Sequence, residues 1–207
     1  QVIVPKTVCC GRPMLSKGML DKARRNAAVN VKAVAAHVRD GARVVGLEPS
    51  CILSYRDDYV DLLDEDTDVA EVAKSSMLIG DFFVEAQEDP DRRIELKPSP
   101  GKRLYHGHCH QKALVGTANS MQALRSIPGC EAVEITAGCC GMAGSFGLER
   151  EHYDVSLQIG EQALLPAIRE EAGDFEVVSE GVSCRQQIEH GSGRQAKHLA
   201  EVLAEAI

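Results

Sequence analysis

Leu20, Ala23, Ala27, Val31, Val34 and Val38 recur every three or four residues, which sets them on one face of a helix that Asp40-Gly41 would end. The short apolar run 44–47 behind it lacks that period and reads as a buried strand. The same order returns later in the chain. Val155, Leu157, Ile159, Ala163, Leu164 and Ile168 mark a helix, and Phe175 to Val178 mark the strand after it. Val2-Ile3-Val4 with Thr7-Val8, and Val133-Glu134-Ile135, read as the strands that precede each helix. Strand, helix, strand is the βαβ unit of a parallel sheet. Further helices are expected at about 67–86, 112–126 and 194–206, and Leu96-Lys97-Pro98-Ser99-Pro100-Gly101 reads as a linker. The expected fold is therefore α/β, with two pseudo-twofold related βαβ, Rossmann-like halves at 1–98 and 99–207 built on parallel sheets.

Composition agrees with that reading. Of 207 residues 44% are apolar, enough for a real core, while aromatics are only 4% with no Trp. A net charge of −8 gives no general attraction for nucleic acid, which is not expected as a partner. No run approaches the roughly 18 to 20 apolar residues that span a bilayer, and no charged n-region precedes an apolar h-region. The expectation is a cytoplasmic protein that meets membranes only through partners.

The eight cysteines change the picture. Four form the adjacent pairs Cys9-Cys10 and Cys139-Cys140, and sequence neighbours rarely bond to each other because the intervening peptide is strained. In a reducing compartment such thiols point to metal or redox chemistry. They are also duplicated. Cys9-Cys10-Gly11 recurs as Cys139-Cys140-Gly141, and about forty residues after each comes an apolar segment ending in Ser50-Cys51 or Ser183-Cys184. Chance does not place two such turns and two Ser-Cys pairs in one register. Because loops after parallel strands gather at one sheet edge, the motif cysteines should converge on loops at the strand C-terminal edges.

In the second half Cys109, Cys139, Cys140 and Cys184 run as one Cys, 29 residues, Cys-Cys, 43 residues, Cys. Four thiolates from three loops match the four terminal ligands of a [4Fe-4S] cluster, and thiolate suits its soft irons. Gly138, Gly141, Gly144 and Gly147 free the loop to turn backbone N–H groups toward cluster sulfurs. Cys9, Cys10 and Cys51 form a possible second metal site. Cys130, isolated after Pro128-Gly129, reads as a small buried hydrophobe. His106, His108 and His110 alternate around Cys109 as if on one strand face, where they could bind zinc or hydrogen-bond to the cluster. Lys112, Arg12 and Arg185 adjoin motif cysteines and could offset cluster charge. A nucleophilic Cys109-histidine pair is disfavoured because sequence-adjacent side chains on a strand diverge. No catalytic residue is assigned. The segment 141–147 lacks the G-x-G-x-x-G order and no Walker A pattern occurs, so any flavin or nicotinamide belongs elsewhere.

These motifs resemble the cysteine-rich CCG domain of heterodisulfide reductase, shared by iron-sulfur parts of glycolate oxidase, lactate-utilisation proteins and anaerobic glycerol-3-phosphate dehydrogenase. The resemblance is greatest to the C-terminal iron-sulfur region of bacterial FAD-linked oxidases of the D-2-hydroxyglutarate or D-lactate dehydrogenase type. It is carried by Cys9-Cys10-Gly11-Arg12-Pro13, Gly46-Leu47-Glu48-Pro49-Ser50-Cys51, the segment from His106 to Ala113 and the segment from Gly138 to Gly147. It implies an electron-transfer module, not a self-sufficient enzyme. Its partners would be an FAD-binding oxidase domain or subunit, which takes electrons from a 2-hydroxy acid, and a quinone or redox protein as acceptor.

Two departures modify what the resemblance implies. Gly181 stands where the heterodisulfide reductase pattern has the first Cys of a C-x-x-C, so a single cubane is expected in place of a double cluster. The first half has no counterpart of Cys109, a position that would fall before Gln1, and so reads as truncated at its N-terminus. The rival reading is a zinc-stabilised or metal-free scaffold domain of the same kind of complex.

Overall fold

The computed structural model describes residues 1–63 and 67–207, which form two compact units, Gln1–Leu78 and Ile79–Ile207. No helix among the described residues is long and apolar enough to cross a membrane.

The first unit runs α1 (Arg12–Ser16), α2 (Leu20–Arg39), β1 (Val44–Gly46), α3 (Pro49–Arg56), α4 (Asp58–Leu62), α5 (Thr67–Ser75) and β2 (Ser76–Leu78). The period read from the sequence is the buried face of α2 from Ala23 onward, with Leu20 exposed: Ala23 is buried, and Ala27, Val31, Val34 and Val38 pack with Tyr55, Tyr59, Val69 and Val72. The helix stops at Asp40, and Gly41 takes the left-handed conformation that ends many helices. β1 pairs in parallel with β2, Val44 opposite Ser76 and Gly46 opposite Leu78.

Two expectations are corrected here. Residues 1–10 form no strand, and Val2 and Val4 are about nine-tenths exposed. The Asn30 side chain takes the place of a neighbouring strand: its Oδ1 accepts from the Val8 N–H at 2.8 Å and its Nδ2 donates to the Val8 carbonyl at 3.3 Å. The helix expected over 67–86 is interrupted, because 76–78 is drawn out as β2 by its ladder with β1.

The second unit runs α6 (Ile79–Glu88), β3 (Gly101–Tyr105), α7 (Cys109–Leu114), α8 (Ala118–Arg125), β4 (Cys130–Glu134), a single 3₁₀ turn (Phe146–Leu148), α9 (Tyr153–Gly160), α10 (Leu164–Glu170), β5 (Phe175–Val178), α11 (Val182–Ser192), β6 (Ala196–Lys197) and α12 (Leu199–Glu205). Its four strands lie in the order β4-β3-β5-β6, all parallel. Side chains alternate between faces, as the period of two requires. Tyr105 and Val178 join Phe83, Met121, Leu124, Leu199 and Leu203 in one core, whereas Leu104 and Val177 join Leu164, Ile168, Cys184 and Ile188 in the other. A parallel sheet covered by helices on both faces is the Rossmann-like α/β arrangement.

Helix punctuation differs from the expectation in detail. The 112–126 helix is two, α7 and α8, parted at Gly116 with its φ of +74°. The 194–206 helix is β6 followed by α12. The division between compact units falls at Leu78/Ile79, ahead of the 96–101 linker, because Phe83 and Val84 of α6 pack with Tyr105 and Met121.

Candidate metal centre

Three adjacent strands of the second unit aim their C-terminal ends at the same edge. β3 leads to Cys109, the first residue of α7; β4 leads to the Cys139-Cys140 loop; β5 leads through Gly181 to Cys184 in the first turn of α11. The Ser-Cys pairs thus sit one turn into the following helix instead of ending the strand, and Cys51 does the same in α3 of the first unit. Cys140 and Cys184 are buried, while Cys109 and Cys139 are half-buried.

The four thiols shift one another's ionisation in sequence, Cys109 with Cys139, Cys139 with Cys140 and Cys140 with Cys184. Cys139 is held far below the ordinary thiol range, first by the bond from Cys109 and then by that from Cys140. Cys184 is lowered by Cys140 against its own burial, with the His106 and His108 rings adding to the effect. Cys109 and Cys140 are correspondingly raised, first by donating to Cys139 and then by burial or by a second donation. Backbone amides supplement this. Gly141 N–H reaches Cys139 Sγ at 3.3 Å, and Met142 N–H serves Cys140.

The loop that carries the pair is seated on a helix face of small residues. Gly141 has φ +100°, and a Cβ on it would lie 2.0 Å from the Ser156 carbonyl oxygen. Gln187 fixes that carbonyl and the Ser156 hydroxyl, each at 3.2 Å. Ser156 and Gly160 are the buried positions of α9, whereas Val155 is 46% exposed, so the expected apolar stripe is not the face this helix buries. Close approach recurs at Gly181, where a Cβ would meet the His108 ring at 2.4 Å.

The histidines separate. β3 ends at Tyr105, so they do not share a strand face. His108 caps α7, its Nδ1 accepting from His110 N–H at 3.2 Å, and Gln111 closes the capping box. His106 is wholly buried, and neither ring nitrogen makes a hydrogen bond of good geometry. Among the described residues no three His, Cys, Asp or Glu side chains converge on a single-ion site. The basic residues act as ties: Lys112 donates to the Ala137 and Gly138 carbonyls, Arg185 to those of Ser179 and Glu180, and Arg12 pairs with Asp58 at 3.1 Å. Sequence reasoning missed Glu180, which is fully buried and accepts from Tyr105 at 2.8 Å, Ser120 at 2.6 Å and Gln111 at 3.4 Å. A lone acid between an apolar strand and Gly181 was the available signal.

In the first unit Cys10 and Cys51 lie 3.2 Å apart, sulfur to sulfur. Cys10 is lowered to about 6, chiefly by the bond it shares with Cys51, and Cys51 is raised in turn. Arg12 N–H serves Cys10 as Met142 N–H serves Cys140, and Gly11 has φ +92°. Cys9 is exposed. Cys130 opens β4 and packs, half-buried, against the core around Tyr105.

Soft donors from three loops, amides aimed at sulfur, and a buried imidazole beside the Cys184 sulfur fit a thiophilic, sulfur-containing metal group. Residues 104–189 match the family model of the CCG cysteine-rich domain. The chain is similar to a subunit of the anaerobic glycerol-3-phosphate dehydrogenase of Escherichia coli, 31% identical over 206 residues, which is 99% of this chain and 51% of that protein. To D-2-hydroxyglutarate dehydrogenase of Pantoea ananatis it is 29% identical over 198 residues, 95% of this chain and 19% of that protein. An uncharacterized iron-sulfur protein of Methanocaldococcus jannaschii is 27% identical over 161 residues, 77% of this chain and 29% of that protein. The chain thus spans about half the length of the first relative and about a fifth of the second.

Proposed function

We propose, from the premise that residues 104–189 are a CCG cysteine-rich domain, that this chain is the iron-sulfur electron-transfer part of a flavin-linked dehydrogenase. Cys109, Cys139, Cys140 and Cys184 would hold a [4Fe-4S] cluster, and Cys9, Cys10 and Cys51 an incomplete second set. The observation that carries this reading is the placement of four cysteines on three loops at the C-terminal edge of β4-β3-β5. When bound, the cluster supplies one-electron transfer.

The residues would divide the work by position. Cys139 and Cys184, already low, offer thiolates; Cys109 and Cys140 would release their protons on binding. The Gly141 and Met142 amides would offset thiolate charge at no reorganisation cost. Cys140 and Cys184 face the core, so electrons would enter and leave on the half-buried Cys109 and Cys139 side. The electron donor would be an FAD-binding oxidase domain or subunit acting on a hydroxy acid or polyol phosphate, and the acceptor a quinone or redox protein.

Anaerobic reconstitution with ferrous iron and sulfide tests this. About four irons and four sulfides per chain, with absorbance near about 400 nm and a dithionite-dependent EPR signal, are expected. A chain that stays colourless, or that takes up one zinc in preference, would leave the scaffold reading in its place.

A further inference from the structure

His106 follows β3 directly, and its main chain is fully engaged: its N–H donates to the Val178 carbonyl at 2.9 Å and its carbonyl accepts from Ser179 Oγ at 2.9 Å. The ring is different. It is 0% exposed, neither Nδ1 nor Nε2 makes a hydrogen bond of good geometry, and the Cys184 sulfur lies within weak hydrogen-bonding reach of the ring. The unit's two other buried imidazoles each serve the fold, His108 capping α7 and His198 capping α12 through Nδ1. An imidazole in any protonation state carries at least one N–H, and leaving that donor unsatisfied in a core is destabilising. Such a group calls for an explanation in terms of something the site accepts.

What the ring faces answers this. Cys184 and Cys139 both feel it, in addition to their stronger thiol partners. We infer that His106 is the hydrogen-bond donor to sulfur for the group held by Cys139 and Cys184, set there to raise its reduction potential. The inference rests on the iron-sulfur reading above. A donor to sulfur stabilises the more negative, reduced state, so its removal makes reduction harder. Without the group the ring keeps only its weak contact with the Cys184 sulfur, so an apolar replacement of similar bulk should change metal-free stability little. A shifted potential with nearly unchanged metal-free stability is what a merely structural histidine would not produce.

The test compares wild type, His106→Gln, which keeps an N–H, and His106→Leu, which does not. All three are reconstituted anaerobically, counted for iron and titrated by EPR, and metal-free samples are melted. His106→Leu should bind the same iron but shift the one-electron equilibrium about tenfold toward the oxidised state, about 59 mV, while melting close to wild type when metal-free. His106→Gln should recover most of the potential. Reduced wild type should also show a nitrogen coupling from histidine in pulsed EPR, a readout available even if His106→Leu fails to fold. An unchanged potential in His106→Leu, or no nitrogen coupling in wild type, overturns the donor role alone. Absence of iron in wild type overturns the iron-sulfur reading beneath it.

Discussion

The Cys10 sulfur lies 3.2 Å from the Cys51 sulfur, and Cys140 and Cys184 are the corresponding pair, near enough to shift each other's ionisation. Each pair joins the last cysteine of a CCG turn to the first turn of a helix that follows a parallel strand. The local design is duplicated, down to the amides of Arg12 and Met142 that serve the paired sulfurs. The second copy adds Cys109, which bonds to Cys139 and completes a set of four.

Gly141 should be much less replaceable than Gly144, although both have positive φ. At Gly144, with φ +69° and open space around it, alanine meets only the backbone cost of about 1–2 kcal/mol. At Gly141 the added carbon would also overlap the Ser156 carbonyl, displacing the CCG turn from α9. Gly141→Ala should therefore lose about 2–4 kcal/mol in urea unfolding and bind less iron, since the turn carries both cysteines. Equal losses at the two positions would show that the seat on α9 does not matter.

How much of this was legible in advance depended on which neighbour decided each element. The stripe of α2 is local, so Ala23 to Val38 declared it, and the duplicated Cys-Cys-Gly and Ser-Cys pairs declared the site. Residues 1–10 have strand-like composition, but their hydrogen bonds go to Asn30, a partner 22 residues from Val8. β2 is helical by pattern and extended by pairing with β1. In α9 the buried face is Ser156 and Gly160, chosen because a backbone turn must pass close by, and no hydrophobic period announces such a face. His106 was visible only as one of three alternating histidines; its burial beside the Cys184 sulfur is a tertiary fact.

Acid should weaken the second unit through Glu176. Its burial opposes ionisation, but Lys197 at 2.5 Å and Arg103 at 2.9 Å outweigh that and lower its carboxyl below the ordinary value. A carboxylate depressed in the folded state contributes stability above its unfolded pKa and loses it as pH falls through the folded one. The side chain is 36% exposed, so screening limits the contribution to about 1 kcal/mol. Glu176→Gln should lower stability at pH 7 by about that amount and flatten the pH dependence below about pH 4.5. A variant whose acid unfolding profile matched wild type would remove this pair from the account.

Cluster assembly should discriminate between the cysteines by unit. Cys140→Ser and Cys184→Ser each remove a buried member of the four-thiol set and should abolish reconstituted absorbance. Cys10→Ser touches only the three-cysteine set and should leave most of it, and Cys130→Ser, at a packing position, should leave all of it. Iron counting after anaerobic reconstitution reads the result. Equal loss in Cys10→Ser and Cys140→Ser would mean that both sets contribute to the bound iron, and retention in all four variants would favour a scaffold.

The isolated, flavin-free chain should not oxidise a hydroxy acid. Removing hydride or its equivalent from a hydroxyl-bearing carbon requires a base near the hydroxyl, a cation for the carboxylate and an electron acceptor in contact with the carbon. The histidines nearest the cysteines are otherwise placed: His106 is fully buried and His108 caps α7. Lys112, Arg185 and Arg12 are each committed to loop carbonyls or to Asp58. With a cluster bound, the thiol edge would take up and pass on electrons, but substrate chemistry would need a second, flavin-bearing body. With D-2-hydroxyglutarate, D-lactate or glycerol 3-phosphate, the reconstituted chain should reduce no dye, while dithionite or a photoreduced flavin reduces its cluster. Substrate-dependent dye reduction by the chain, with flavin shown to be absent, would make it an enzyme in its own right and overturn the division of labour argued for Cys109, Cys139, Cys140 and Cys184.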